Sequence, residues 1–195
     1  MYSADLVAKW FLEEELDNAD EDGEGMSNLK LQKLLYYAQG VHAAATGKRL
    51  FPEEILAWVH GPAVKEVYAR YKGFGAGPIE LEDEGDRLEL DEDTEQILRD
   101  VYGSFGQFTA WKLREMSLSE LPWLQTERGA SIPVPLLIDF FRDNYFEVKD
   151  DLWGDRSLYA IAFAVLAVGC AIGAVFAFKK RRRFLFWRKK SFFRR

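Results

Sequence analysis

The sequence contains a single cysteine and two histidines, and this scarcity excludes several kinds of chemistry. With Cys170 alone, no disulfide can form within the chain, and neither a thiolate metal site nor a Cys-His nucleophile is expected. His42 lies on the apolar face of a helical pattern, where a buried structural histidine is expected, and His60 precedes a Gly-Pro turn. The zinc-protease HExxH motif, the glycine-rich nucleotide loops and the serine elbow are also missing. We therefore predict no catalytic, cofactor-binding or metal-ligating residue and no enzymatic activity.

Positive charge is scarce over most of the chain. Residues 1–178 contain all 32 Asp and Glu residues but only 16 of the 26 Lys and Arg residues, a formal charge of −16. Nucleic-acid binding requires phosphate-neutralising cations on the folded surface, so we predict no nucleic-acid partner. The carboxylates between Glu80 and Glu95 are interpreted as a solvated face. The alternative is an acidic surface that meets a basic partner.

Helical periodicity dominates residues 1–150, and we predict one compact, mainly α domain with a small β-hairpin. Ser3 is expected to cap the first helix, and Ser27 to begin a long central helix that stops near Gly47. A third helix is predicted from Pro62, because proline suits the first helical turn.

The hairpin is placed at residues 78–90, where two alternating runs flank an acidic turn. Further helices are predicted around residues 92–105, 109–116 and 133–144.

A long uncharged run follows an acidic linker at residues 151–157. Residues 158–178 are 21 consecutive uncharged and mostly apolar residues. As a helix they would extend roughly 31 Å, close to the hydrocarbon thickness of a bilayer. We predict a membrane helix, because core helices are rarely apolar on all sides over six turns.

Two features of this C-terminal region predict contacts. Gly169, Gly173 and Ala177 form a small-residue face at G-x-x-x-G spacing, which favours close packing of two membrane helices and hence a homodimer. The tail at residues 179–195 interleaves ten cations with aromatic residues, a composition suited to anionic lipid headgroups. The cations expected to contact lipid are Lys179, Lys180, Arg181, Arg182, Arg183, Arg188, Lys189 and Lys190.

A helix that crosses the membrane once would place the tail and the domain on opposite sides, but both are expected in the cytoplasm. The positive-inside rule places the tail in the cytoplasm. The domain has no recognisable signal peptide and is expected to fold in the cytoplasm before the membrane helix is synthesised. We therefore predict a protein of the inner (plasma) membrane, single-pass or interfacial, with its N-terminal domain in the cytoplasm.

Four blocks of the sequence resemble a known family. They are LKLQKLLYYAQ at residues 29–39, GKRLF at 47–51, WVHGPAVKEVY at 58–68 and SELPWLQT at 119–126. Together they are similar to the signature of the Panacea domain, the SocA-like antitoxin domain that also occurs in phage-associated GepA-like proteins. The resemblance extends roughly from residue 3 to residue 146, with Leu118 near the place of a histidine common in the family.

The resemblance implies a mostly helical domain that binds and neutralises a protein toxin in a toxin–antitoxin or phage-defence system. Some members also act as adaptors that deliver a toxin to a protease. The motif residues that it singles out, as core or as partner surface, are Leu31, Lys33, Leu34, Tyr36, Tyr37, Gln39, Trp58, His60, Gly61, Pro62, Val67, Tyr68, Pro122 and Trp123.

The residues themselves favour core packing for the apolar and aromatic motif positions, including Tyr68, and surface positions for Gln32, Lys33, Gln39 and Lys65. We favour a membrane-associated antitoxin that neutralises a toxin in trans. The alternatives are an antitoxin domain fused in cis to a membrane-active toxin segment at residues 158–195, a membrane-anchored protease adaptor, and a signalling receptor.

Overall fold

The computed structural model describes residues 1–18, 25–81 and 89–146. These residues form a mainly helical structure with one small antiparallel sheet, which confirms the predicted mainly α domain with a small hairpin. The elements are α1 (Ala4–Asn18), α2 (Asn28–Thr46), β1 (Ile55–Trp58), β2 (Gly61–Val64), α3 (Lys65–Tyr71), a 3-10 turn (Lys72–Phe74), α4 (Glu92–Phe105), α5 (Ala110–Ser119), α6 (Leu121–Leu124) and α7 (Val134–Tyr145).

The predicted membrane helix, its Gly169, Gly173 and Ala177 face, and the basic tail lie outside the described residues. Within the described ranges, no helix combines the length and the apolar character needed to cross a membrane.

Helix α2 is the centre of the domain. It begins where the Ser27 side chain accepts a hydrogen bond from the Lys30 backbone N–H, and it ends at Gly47 in the left-handed conformation, as predicted. Every residue from Leu31 to Ala43 is buried, because α1, α4, α5, α7 and β2 all pack around this helix. A helix enclosed on all sides must bury its polar side chains too, and each of these then requires a hydrogen-bond partner.

The hairpin lies earlier in the chain than predicted. Strands β1 and β2 pair antiparallel, with Ile55 opposite Val64 and Trp58 opposite Gly61. On the other edge of β1, the Ala57 N–H donates to the Ala130 carbonyl at 2.9 Å, so a loop segment covers that edge. The helix predicted from Pro62 therefore begins only at Lys65, because Pro62 lies within the buried strand β2.

The hairpin predicted at residues 78–90 is wrong over its described flanks. Residues 79–81 and 89–90 have no strand, and Pro78 forms only an isolated bridge with Ser27. The Ile79 N–H donates to the Met26 carbonyl at 2.9 Å, which holds this segment against the start of α2. Residues 82–88, which include the predicted acidic turn, lie outside the described ranges.

Candidate functional site

Gln39 fixes the loop that leads from α2 to the hairpin. Its side-chain oxygen accepts hydrogen bonds from the N–H groups of Leu50 at 2.9 Å and Phe51 at 3.1 Å. Its amide group donates to the Phe51 carbonyl at 3.1 Å. One buried side chain thus satisfies three backbone groups of a loop with no ladder of its own.

Gln32 performs the same task at the start of α3. Its oxygen accepts a hydrogen bond from the Val64 N–H at 2.8 Å, and its amide donates to the Asn28 side chain at 3.1 Å. Asn28 in turn donates to the Tyr68 carbonyl at 3.2 Å. This chain of amides joins α2 to both β2 and α3.

Lys33 completes the series by holding the hairpin turn. Its ammonium group is buried and donates to the Pro62 carbonyl at 2.7 Å. Burial lowers the pKa of Lys33 to about 7, with a further contribution from the positive charge of Arg114. The prediction that Gln32, Lys33 and Gln39 lie at the surface is wrong, because all three hydrogen-bond inside the domain.

Gly61 allows the hairpin turn to approach Lys33 this closely. Its φ of 95° lies in the left-handed region that favours glycine. A Cβ at this position would lie 2.9 Å from the Lys33 Nζ and 2.8 Å from the Ser117 Oγ. Glycine at position 61 is thus required by the backbone conformation and by the lysine beneath it.

Glu120 is the acceptor of a second buried polar cluster, on the side of α2 that faces α7. Its carboxylate accepts hydrogen bonds from the hydroxyl groups of Tyr36 at 2.7 Å, Tyr37 at 2.9 Å and Tyr145 at 2.8 Å. Burial raises the pKa of Glu120 to about 7, although the three hydroxyl donors favour the charged form. The cluster joins α2 and α7 to the junction between α5 and α6 through one side chain.

An open groove of about 640 Å³ lies between α2, the hairpin, α3 and α5. We call it the motif groove, because the first and third blocks of the family signature contribute much of its wall. It is lined by Asn28, Leu29, Gln32 and Lys33 of α2; Trp58, Val59, His60, Gly61 and Ala63 of the hairpin; Tyr68, Lys72, Gly75 and Ala76 of α3 and the following turn; and Trp111 and Arg114 of α5.

Large apolar side chains at the rim of the motif groove are exposed. Val59 is 69% exposed, Trp111 60% and Tyr68 42%. The Trp58 ring packs edge-on against Tyr68 with 5.0 Å between centroids, and the Trp58 carbonyl accepts a hydrogen bond from the Trp123 indole at 2.8 Å. The predictions that Trp58 and Tyr68 lie in the core are wrong, because both rings stand at the groove, where Trp58 is half-buried and Tyr68 is exposed.

The charged side chains that line the motif groove are all basic. No Asp or Glu is among the described lining residues, whereas Lys33, Lys72 and Arg114 are. The Arg114 guanidinium lies over the Trp111 ring, 4.6 Å from its centroid. The Arg114 Nε is buried and has no hydrogen-bond partner among the residues that the structure describes.

The remaining motif residues divide between the core and the hydrogen-bonded anchors. Leu31, Leu34, Tyr36, Tyr37 and Val67 are buried in the main core, and Pro122 is buried at the start of α6. Of the residues predicted from the motif, Lys33, Trp58, His60, Gly61 and Tyr68 meet at the groove.

Sequence reasoning did not single out Val59, Lys72, Trp111, Arg114 and Glu120. Glu120 was within reach, because it stands inside the SELPWLQT block. Trp111 and Arg114 gave no such signal, since only the packing of α5 against α2 and β2 brings them to the groove. Among the described residues, no group of three His, Cys, Asp or Glu side chains is placed to hold a metal ion.

These observations define a helical domain in which one buried central helix hydrogen-bonds to a hairpin and to the walls of an open groove. Residues 31–124 match the family model described as antitoxin SocA-like, Panacea domain. The chain therefore carries a SocA-like Panacea domain. The matched range includes every groove-lining residue except Asn28 and Leu29. No curated protein and no solved structure matches the chain.

Proposed function

We propose that this protein is an antitoxin-like protein that binds and neutralises a protein toxin through the motif groove, as part of a toxin–antitoxin or phage-defence system. The observation that carries the proposal is the position of the family motif. Its buried polar residues hold the hairpin in place, and five of its residues line an open groove.

The groove has the composition of a protein-binding surface. The residues that dominate binding free energy at interfaces are enriched in tryptophan, tyrosine and arginine, and Trp111, Tyr68 and Arg114 occur together here. Adjacent exposed apolar side chains on a folded domain are commonly covered by a partner. The mode of action is therefore binding rather than catalysis.

The proposal is tested by growth rescue. The full-length protein is co-expressed in bacteria with small toxic proteins, beginning with the product of the adjacent reading frame, and colony formation is counted. Rescue by the full-length protein, together with co-purification of the toxin, is the expected result. If the protein binds no toxin and restores growth against none, the antitoxin proposal is wrong.

Membrane association is the second part of the proposal, and the sequence supports it. The 21 uncharged residues at 158–178 are long enough to cross a bilayer, and the cationic, aromatic tail suits anionic headgroups. We place the domain on the cytoplasmic side. The G-x-x-x-G face would pack against a second copy of the same helix.

A fused toxin is the second candidate function. An apolar segment followed by ten cations with interleaved aromatic residues is a composition that perturbs membranes. In that case residues 151–195 alone should be toxic, and co-expression of residues 1–150 should restore growth. A plain anchor predicts that residues 151–195 are harmless, while the full-length protein still neutralises a toxin supplied in trans.

A further inference from the structure

We propose that the motif groove receives an acidic side chain of the partner protein, flanked in the partner by an apolar or aromatic residue. This inference rests on the proposed function, because it describes the chemistry by which the partner is recognised. It extends the proposal from a surface to a specific kind of contact.

The charge of the groove is opposite to that of the rest of the domain. Residues 1–178 carry a formal charge of −16, with two carboxylates for every cation. The described lining of the groove nevertheless has no carboxylate and includes Lys33, Lys72 and Arg114. A basic recess in an acidic domain attracts an anionic group and disfavours basic segments, so charge complementarity selects an acidic partner residue.

Arg114 has a hydrogen-bond donor, its Nε, that is without a partner among the described residues. This Nε is buried, and a buried donor without a partner is costly. The guanidinium is held over the Trp111 ring, which orients its planar array of donors. Such an array matches the two oxygens of a carboxylate.

Lys33 supports the same arrangement. Lys33 is among the residues that line the groove, and after burial the charge of Arg114 also lowers the pKa of its ammonium group. A negative group bound between the two cations would remove this repulsion and favour the charged lysine.

The apolar rim of the groove favours an apolar or aromatic residue of the partner next to its carboxylate. Val59, Tyr68 and Trp111 present exposed apolar surface around the basic floor. A small inorganic anion would leave this surface uncovered, whereas a peptide with an apolar residue next to Asp or Glu covers it. The chain's own tail at residues 179–195 is a poor occupant, because it has ten cations and no carboxylate.

The experiment presents an array of synthetic hexapeptides to the full-length protein in detergent micelles. Selected peptides should contain Asp or Glu beside an aromatic or aliphatic residue. Replacing that Asp or Glu with Asn or Gln should weaken binding at least tenfold. Lys72→Glu should weaken the same peptides about tenfold, whereas Lys65→Glu, an exposed lysine outside the groove lining, should change binding less than twofold.

Thermal melting checks that both variants are folded. Arg114→Gln is a third variant, which removes the guanidinium together with its unpaired Nε. Selection of peptides without acidic residues would contradict the inference. Equal effects of Lys72→Glu and Lys65→Glu would also contradict it, as would inorganic phosphate binding at Arg114 without any peptide selectivity.

The growth-rescue assay separates this inference from the proposed function. If the wild-type protein fails to rescue growth against any toxin, the antitoxin function itself is wrong. If the wild-type protein and Lys72→Glu rescue growth equally, the antitoxin function stands and the acidic contact is wrong. Loss of rescue in Lys72→Glu, with rescue retained in Lys65→Glu, is the result that the inference predicts.

Discussion

Glu120 shows how a single residue can make the domain sensitive to pH. Its carboxyl group is buried between α2 and α7, where it accepts hydrogen bonds from three tyrosine hydroxyls. These donors are uncharged, so they form no ion pair with the carboxylate. Burial raises its pKa from the ordinary 4.5 to about 7. The folded protein therefore binds a proton between these two pH values that the unfolded chain releases.

This difference predicts a stability that falls as pH rises from 4.5 to 7. The stabilisation by the protonated carboxyl group is fully present below pH 4.5 and is lost as pH rises to about 7. The free energy of unfolding falls by about 3 kcal/mol over this range. Urea unfolding at pH 5 and pH 7 should show the loss in the wild-type protein. Glu120→Gln, which cannot titrate, should show a much smaller change.

Comparing the wild-type protein with Glu120→Gln cancels the contributions of the other titrating groups to the pH dependence of stability. Burial lowers the pKa of His42, which acts in the opposite direction over part of this range, but His42 is common to both proteins. Parallel pH profiles for the wild-type protein and Glu120→Gln would show that Glu120 is not protonated in the fold.

The errors of sequence interpretation at this scale have a common physical cause. Gln32, Lys33 and Gln39 are polar, and polarity predicts exposure. Their positions are buried because loop and strand backbones supply partners for them, and those partners come from residues 50–64. The prediction for Tyr68 is wrong in the opposite sense, because its side chain was predicted to be buried and is exposed. The sequence does not distinguish an aromatic residue at the surface from one in a core.

Among the elements, helices with local end signals were predictable. Helix α4 occupies residues 92–105 as predicted, because Asp91 caps it and its apolar residues recur at helical spacing. Helix α2 has similar signals at both ends. The hairpin had no such signal, because residues 55–64 lack a recognised turn sequence and Pro62 suggested a helix start.

The packing of α2 against α7 depends on Gly40. A Cβ on Gly40 would lie 2.2 Å from the Cε2 of Phe141, which is far inside contact distance. Gly40→Ala should therefore destabilise the domain by about 1–3 kcal/mol through overpacking, even though alanine is the better helix former.

Gly103 provides the matched control for this prediction. It lies within α4, and no atom is within 4 Å of the position where its Cβ would stand. Gly103→Ala should therefore stabilise the protein by up to about 1 kcal/mol. Denaturant unfolding measures both changes, and a stabilised Gly40→Ala would show that the two helices are not in close contact.

For the whole molecule, the family match and the folded domain have different extents. The match covers residues 31–124, whereas α1 and α7 lie beyond it and pack directly on α2. Tyr145 of α7 also donates to Glu120. The predicted boundaries at 1–150 include these helices, and they stay a prediction.

The membrane proposal predicts the behaviour of the full-length protein during fractionation. It should sediment with membranes and stay there after a high-salt wash, because burial of an apolar segment is not screened by ions. The chain shortened to end at Arg156 is the control and should be found in the supernatant. Recovery of the full-length protein in the soluble fraction without detergent would contradict membrane association.

The central claim is that the motif groove binds the toxin, and one substitution tests it most directly. Trp111 is 60% exposed at the groove, and Leu124 is 52% exposed outside the groove lining. Each is replaced by alanine in the full-length protein, and growth rescue against the neutralised toxin is measured beside thermal melting. Both variants should keep their melting temperature within a few degrees, because neither side chain is in the core. The account predicts that Trp111→Ala loses rescue at least tenfold and that Leu124→Ala retains it; full rescue by Trp111→Ala would contradict the assignment of the groove as the binding surface.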